Sequence, residues 1–168
     1  MKILETPRLV LRRLVLEDAP FILELVNDPA WLQYIGDKHV HNLENARNYI
    51  RKGPLDMYAR FGFGLYMVAL KTGNRIGMCG LIKRDGLQDV DLGFALLPRY
   101  RGRGYAQEAA AAVRDYGGNT IGLKRIVAIT NPDNLRSIKV LENIGFIYEQ
   151  TLTLQGQASA TKLFAHMN

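Results

Sequence analysis

The sequence is poor in the residues that metal, redox and membrane chemistry require. It has one cysteine, Cys79, so no internal disulfide is possible, and the apolar strand pattern around it reads as buried filler rather than a reactive thiol. The three histidines, His39, His41 and His166, are too scattered to suggest a metal site, and none is expected. No apolar run approaches the length of a membrane span, and Met1 to Thr6 do not form a signal-peptide pattern. The expectation is therefore a cytoplasmic protein without membrane contact. No linker, repeat or low-complexity stretch divides the 168 residues, which are expected to form a single domain, 1–168. The net charge of +6 comes without a stripe of lysines and interleaved aromatics, so direct nucleic-acid recognition is not expected. A basic soluble surface, or attraction to a polyanionic ligand or a ribosome-like partner, remains open.

What is present is a periodic succession of short elements. Arg8 to Leu14 reads as a first strand, and Asp18 as the cap of a helix reaching about Asn27. Asp28-Pro29 breaks that helix, and Trp31 to Ile35 suggest a short second one. A further helix is expected from Asn42 to Lys52, ended by Gly53-Pro54. Strands follow at Phe63–Leu70, Arg75–Lys83 and Val90–Leu97. Next come a helix at Tyr105–Tyr116 closed by Gly117-Gly118, a strand at Lys124–Thr130 and a helix at Leu135–Asn143. Gly145-Phe146 opens a strand to about Leu154, and Ser159–His166 forms the last. This order gives a mixed α/β fold, one sheet with helices on both faces.

The most informative stretch is the basic turn from Pro98 to Ala106 between a strand and an alanine-rich helix. Glycines let the backbone approach a ligand closely. A helix start offers unpaired N–H groups and the positive end of the helix dipole, which together favour a phosphate. Arg99, Arg101 and Arg103 add charge there, and Ala106, Ala109, Ala110 and Val113 let the helix lie close to the sheet. The turn is neither a P-loop, lacking Gly-Lys-Ser/Thr, nor a dinucleotide fingerprint with a later ribose-binding acid. By itself it is also compatible with a tight turn carrying solvated arginines.

Two further motifs narrow the reading. Arg101-Gly102-Arg103-Gly104-Tyr105-Ala106 fits Arg/Gln-x-x-Gly-x-Gly/Ala, and Asn131-Pro132-Asp133-Asn134-Leu135-Arg136-Ser137 follows, closed by Ile144-Gly145-Phe146. In this order, over nearly the whole chain, they resemble the GNAT superfamily of acyl-CoA-dependent N-acyltransferases. The opening Leu4-Glu5-Thr6-Pro7-Arg8-Leu9-Val10-Leu11-Arg12, with Asp18 after it, is similar to the branch that acetylates N-terminal amines of ribosomal proteins.

The resemblance implies a central, mostly antiparallel, splayed sheet and acetyl-CoA as acyl donor. It implies that Arg101, Gly102, Arg103, Gly104, Tyr105 and Ala106 hold the pyrophosphate. Phe94, Ala95 and Leu96 would meet the pantetheine arm with their backbone, with Asn134 bonding the same arm; Asn134 also reads as a helix N-cap. Asp91 occupies the place of a strand glutamate in many relatives and is the candidate base, with Asp89 as its rival. Ser137 is the candidate acid, or a capping hydroxyl; some relatives use a tyrosine on that helix where this chain has Leu141. Backbone N–H near Leu96 is the candidate oxyanion donor. Trp31, Tyr34, Phe61 and Phe63 belong to the core or to the acceptor pocket. The acceptor is expected to be a primary amine, either a ribosomal-protein N-terminus or a small amine such as a polyamine or aminoglycoside. A non-catalytic acyl-CoA binder and a ribosome-associated interaction protein are the competing classes, and a monomer or homodimer fits equally.

Overall fold

Alternating burial along the strands sorts the apolar side chains onto two faces of one sheet, and each face collects its own helices. The computed structural model describes residues 1–168. Its strands are β1 (Lys2–Glu5), β2 (Leu9–Arg13), β3 (Leu65–Leu70), β4 (Arg75–Ile82), β5 (Asp91–Leu96), β6 (Arg125–Thr130), β7 (Ile147–Leu152) and β8 (Thr161–Met167). The helices are α1 (Ala19–Leu25), α2 (Pro29–Tyr34), α3 (Leu43–Ile50), α4 (Asp56–Phe61), α5 (Tyr105–Tyr116) and α6 (Leu135–Asn143). The sheet order is β1-β2-β3-β4-β5-β6-β8-β7, antiparallel throughout except for β5 and β6. The expected mixed α/β architecture with a mostly antiparallel sheet is observed.

In β3, Tyr66 and Val68 face one way and Met67 the other, as the two-residue period requires. Tyr66 and Val68 belong to a core that includes Ala109, Ala110 and Val113 of α5 and Leu141 of α6. Met67 belongs to a second core with Ile22 and Leu25 of α1, Trp31 of α2 and Ala46 and Ile50 of α3. The alanines on α5 thus do what their size suggests, bringing that helix against the sheet.

Four sequence expectations need correction. β1 went unread because four residues are too few to show a period, yet it pairs with β2 at the sheet edge. Gly53-Pro54 does not end a helix. The chain runs on through a π-helical turn, Arg51–Leu55, into α4, whose wider winding accommodates the missing proline N–H. Gly117-Gly118 likewise continues as a π-helical turn to Ile121, and the chain stops at left-handed Gly122. Gly117 serves packing instead: a Cβ there would stand 2.7 Å from Ile126 Cδ1. Finally, Asp18 stands at the N-cap position of α1 but its side chain does not bond that helix; it caps the preceding 3-10 turn, Leu16–Asp18, through Val15 and is buried as an ion-pair centre. Its carboxylate accepts from Arg12 Nη1 and Nη2 at 2.9 and 2.8 Å, from Arg75 Nε at 2.7 Å and from the Val15 amide at 2.9 Å.

One feature of the sheet positions the site. β5 and β6 meet at a single pair, Asp91 with Val127, and then diverge. The β4–β5 register runs unbroken from Ile82–Asp91 to Gly77–Leu96, so β5 carries no bulge. The Val90 carbonyl bonds the Val127 amide of β6, and the Leu97 amide bonds Ile76 of the β4 side. By alternation the amides of Phe94 and Leu96 face the gap between β5 and β6.

Candidate functional site

The gap opens into two adjoining concavities. A cavity of about 350 Å³ lies beside Asp91, Gly93 and Ala95, and a groove of about 1060 Å³ runs past Phe94, Ala95 and Leu96 to the start of α5. Trp31, Tyr34, Ile35, Phe94, Ala95, Asn134 and Ser137 line both, so the two form one continuous cleft.

The groove end is built from the glycine turn. Gly102 and Gly104 take φ of +76° and +82°, the left-handed conformation that glycine adopts without steric cost. The amides of Gly102, Arg103 and Gly104 make no hydrogen bond within the protein, and the first amides of α5 have no intrahelical partner. That is a ring of unspent N–H donors at the positive end of a twelve-residue helix. The arginines contribute less than expected. Arg101 lines the groove, but its Nη2 is engaged by Asp28 Oδ2 at 2.9 Å and the Leu96 carbonyl at 3.0 Å. Arg99 pairs with Glu24, and the exposed Arg103 side chain does not line the groove. The turn's anion preference therefore rests on backbone amides and the helix dipole.

A residue the sequence reading did not single out fixes that turn. Arg8 donates through Nη1 to the Arg103 carbonyl at 2.9 Å and through Nε to Glu108 at 2.7 Å, with its guanidinium 4.4 Å from the Tyr105 ring centroid. Thr6 Oγ1 donates to the same Glu108 carboxylate at 2.5 Å. The Thr6-Pro7-Arg8 stretch of the opening motif thus braces the turn from about 100 residues away along the chain, as the separations of its bonds show. The residues that fit a coenzyme A phosphate are Gly102, Gly104, Tyr105 and Ala106, and the β5 edge at Phe94 and Leu96 fits the extended arm of such a molecule.

At the other end stands Asp91, only 1% exposed. Burial pushes its carboxyl up from the usual aspartate range, while hydrogen bonds from Arg84 oppose that rise, Nε at 2.5 Å and Nη2 at 3.3 Å. Gly93, on the same face, leaves room that a side chain would take: a Cβ there would lie 3.3 Å from Ile82 Cδ1. Asp89 is placed elsewhere, bonded to Arg125, which also grips Glu149 at 2.6 Å through two nitrogens. It does not line the cavity, whereas Asp91 does.

Asn134 and Ser137 enter from the start of α6. Asn134 Oδ1 accepts the Ser137 amide at 3.3 Å, so the cap is real, and Nδ2 stays free to donate into the cleft. The Ser137 hydroxyl has no partner within the protein. Leu141 lines the cavity where a tyrosine would otherwise stand. Of the four aromatics left open, Trp31 and Tyr34 line the cleft; Phe61 and Phe63 stack on one another outside it.

Several lining residues were invisible in the sequence because they come from segments far apart in the chain: Lys38, Arg84 and Gln157 from three loops and Tyr49 from α3. The Tyr49 hydroxyl is pushed up to about 12 by burial. His39 and His41 also correct an expectation. Far from scattered, they gather with Asp37 so that their ligating atoms lie within 4.8 Å of one another, all three exposed. No step of the chemistry below uses them.

A splayed sheet, a glycine turn with free amides and a small cavity holding a buried carboxylate make a cleft that can take an extended anionic ligand with a second molecule beside it. Residues 8–147 match the acetyltransferase (GNAT) domain family, and the chain belongs to that family. It is 29% identical over 140 residues to the uncharacterised N-acetyltransferase YnaD of Bacillus subtilis, covering 83% of this chain and 79% of that one. It is 22% identical over 157 residues to the spermidine N(1)-acetyltransferase of Escherichia coli, covering 84% and 74%. An acetyltransferase structure from Agrobacterium tumefaciens superposes with a TM-score of 0.84 at 28% identity, covering 98% of this chain and 94% of that one. RimL, a ribosomal L7/L12 alpha-N-protein acetyltransferase in complex with coenzyme A, has the same fold with a TM-score of 0.84 at 19% identity, covering 99% and 98%. The protein is an N-acetyltransferase of the GNAT type. None of its helices is long and apolar enough to cross a membrane.

Proposed function

We propose that this single-domain chain, 1–168, acts in the cytoplasm and transfers an acetyl group from acetyl-CoA to the N-terminal amine of a protein, in one direct step. The observation that carries the reading is the juxtaposition of three features in one cleft. These are the free amides of the glycine turn, the open β5 edge and the buried Asp91 with Ser137 beyond it.

Acetyl-CoA supplies an activated acyl group as a thioester; the chain supplies position and protons. The amides of Gly102, Gly104, Tyr105 and Ala106 hold the pyrophosphate, and Asn134 Nδ2 with the Phe94 edge holds the pantetheine arm. An amine arrives protonated at neutral pH and must lose that proton before it attacks. Asp91 takes it through a water, because aspartate is one methylene shorter than the glutamate of many relatives. Burial favours that role by raising the affinity of the carboxyl for a proton. The Leu96 amide, facing the gap, stabilises negative charge developing on the carbonyl oxygen. The Ser137 hydroxyl relays to the departing thiolate the proton that the nitrogen sheds as the amide forms, and so ends as a hydroxyl again. A thiolate leaves readily, so this last contribution is small.

The test is thiol release with purified protein, acetyl-CoA and a panel of peptide N-termini, polyamines and aminoglycosides, with a no-acceptor control. Acetylation of peptide N-termini above small amines supports the reading. Tight acetyl-CoA binding with no thiol release on any acceptor overturns it in favour of a non-catalytic binder.

A further inference from the structure

The charge of the acceptor cavity is opposite in sign to what a polycation needs. Asp91 is its only carboxylate, and that carboxylate is already held by Arg84. Against it stand two cations, Lys38 and Arg84. Lys38 Nζ has no hydrogen-bond or ion-pair partner, and Arg84 Nη1 is unused after the contacts to Asp91. Asp37, next to Lys38 in the chain, is turned to His39, accepting its amide at 2.7 Å with the imidazole 3.6 Å away. Lys83, also nearby, spends its ammonium on the Leu87 and Arg84 carbonyls.

A second observation agrees. Trp31 is 6% exposed, lines the cleft, and its indole Nε1 is buried without any partner. An unpaired buried donor is costly unless a ligand or water completes it. The unspent charged groups of this cleft are both cations, Lys38 Nζ and Arg84 Nη1, with the donors Trp31 Nε1 and Asn134 Nδ2 besides; the free groups of Tyr34, Tyr49, Ser137 and Gln157 can donate or accept. Donors of this kind recognise an anionic oxygen.

We infer that the acceptor is an amine whose own molecule carries a carboxylate, which Lys38 and Arg84 hold while the amine meets Asp91. This rests on the acetyl-transfer reading and sharpens its substrate class; a second ammonium, as in a polyamine, would face two cations with no free carboxylate. The carboxylate belongs to a free amino acid or to an acidic side chain near a peptide N-terminus.

The experiment compares acceptors differing only in that group: Ser-Glu-Ala amide against Ser-Gln-Ala and Ser-Lys-Ala amides, a free amino acid against its amide, and spermidine. Two readouts are taken, kcat/KM by thiol release and calorimetric binding of each peptide to protein saturated with coenzyme A. The expected result is a preference of about tenfold for the carboxylate member of a pair in either arm. The preferred arm separates the two sources. Lys38→Gln should bring the preference close to unity and Lys38→Arg should keep it. Equal or better use of the glutamine, lysine or spermidine acceptors, or a preference that survives Lys38→Gln, overturns the inference and leaves acetyl transfer standing. If no acceptor releases thiol, the acetyl-transfer reading fails and the binding data decide the subsite. Tighter binding of the glutamate peptide that Lys38→Gln abolishes then supports it, and equal affinities overturn it.

Discussion

Of the buried aspartates that arginine grips, Asp18 and Asp91 behave oppositely. Asp18, 0% exposed, receives hydrogen bonds from Arg12, Arg75 and the Val15 amide. Burial works to raise its pKa, but those donors together outweigh it and hold the carboxyl below the usual range. Asp91, 1% exposed, has only Arg84, and there burial wins. The first carboxylate is fully occupied and ties β2, β4 and the entry to α1 together. The second keeps unmet proton affinity and faces a cavity. The balance between desolvation and donors, two arginines and an amide at Asp18 against one arginine at Asp91, sets the opposite directions of the two carboxyls.

The comparison breaks most visibly at Asp18. Asp18→Asn should cost about 3 kcal/mol of stability, because Arg12 and Arg75 lose their shared anion, with any loss of turnover following the loss of folded protein. Chemical denaturation alongside activity per folded molecule checks this. Failure to destabilise would show that the pair is solvent-screened and structurally idle.

Arg8→Met sharpens the distinction between scaffold and site at the glycine turn. Removing the brace on the Arg103 carbonyl, Glu108 and Tyr105 should weaken acetyl-CoA binding roughly tenfold while costing about 1 kcal/mol of stability. Calorimetry with coenzyme A and a melting curve separate the two effects. Ser137→Ala should lower kcat by no more than about tenfold with coenzyme A affinity retained, since the leaving group needs little help.

The smallest effect is in pH dependence. A depressed folded-state pKa means that Asp18 contributes stability above its unfolded value of about 4, lost as pH falls through the folded pKa. A raised folded-state pKa means the reverse for Asp91: ionising it opposes folding as pH rises from about 4 through the folded value. The stability gap between wild type and Asp18→Asn should therefore close in acid. Asp91→Asn should be at least as stable as wild type near neutrality. Denaturation midpoints across that range test both signs.

How much of this was legible in the chain follows from distance along it. The glycine turn, α5 and α6 could be read almost to the residue, because positive-φ glycines, an alanine face and an Asn cap are local signals. Asp91, Asn134 and Ser137 stand out only through the family resemblance, and the fold brings all three into one cleft. Pro54 and Gly117 misled because both ordinarily stop a helix, whereas a π-helical turn carries the chain through. The roles of Arg8, Lys38 and Arg84 stayed hidden, since each depends on partners that only the tertiary fold supplies. Arg12 and Asp18 lie close in sequence, but the contact with Arg75 spans 57 residues, so the chain alone shows Asp18 only as a capping residue.

The central claim is that Asp91 serves chemistry and not architecture, and Asp91→Asn tests it most directly. Turnover with acetyl-CoA and the best acceptor is measured beside coenzyme A affinity and stability. The account predicts a fall in kcat of at least about a hundredfold, with affinity and stability held within about a factor of two. Unchanged turnover, or loss of folding in step with turnover, would contradict it.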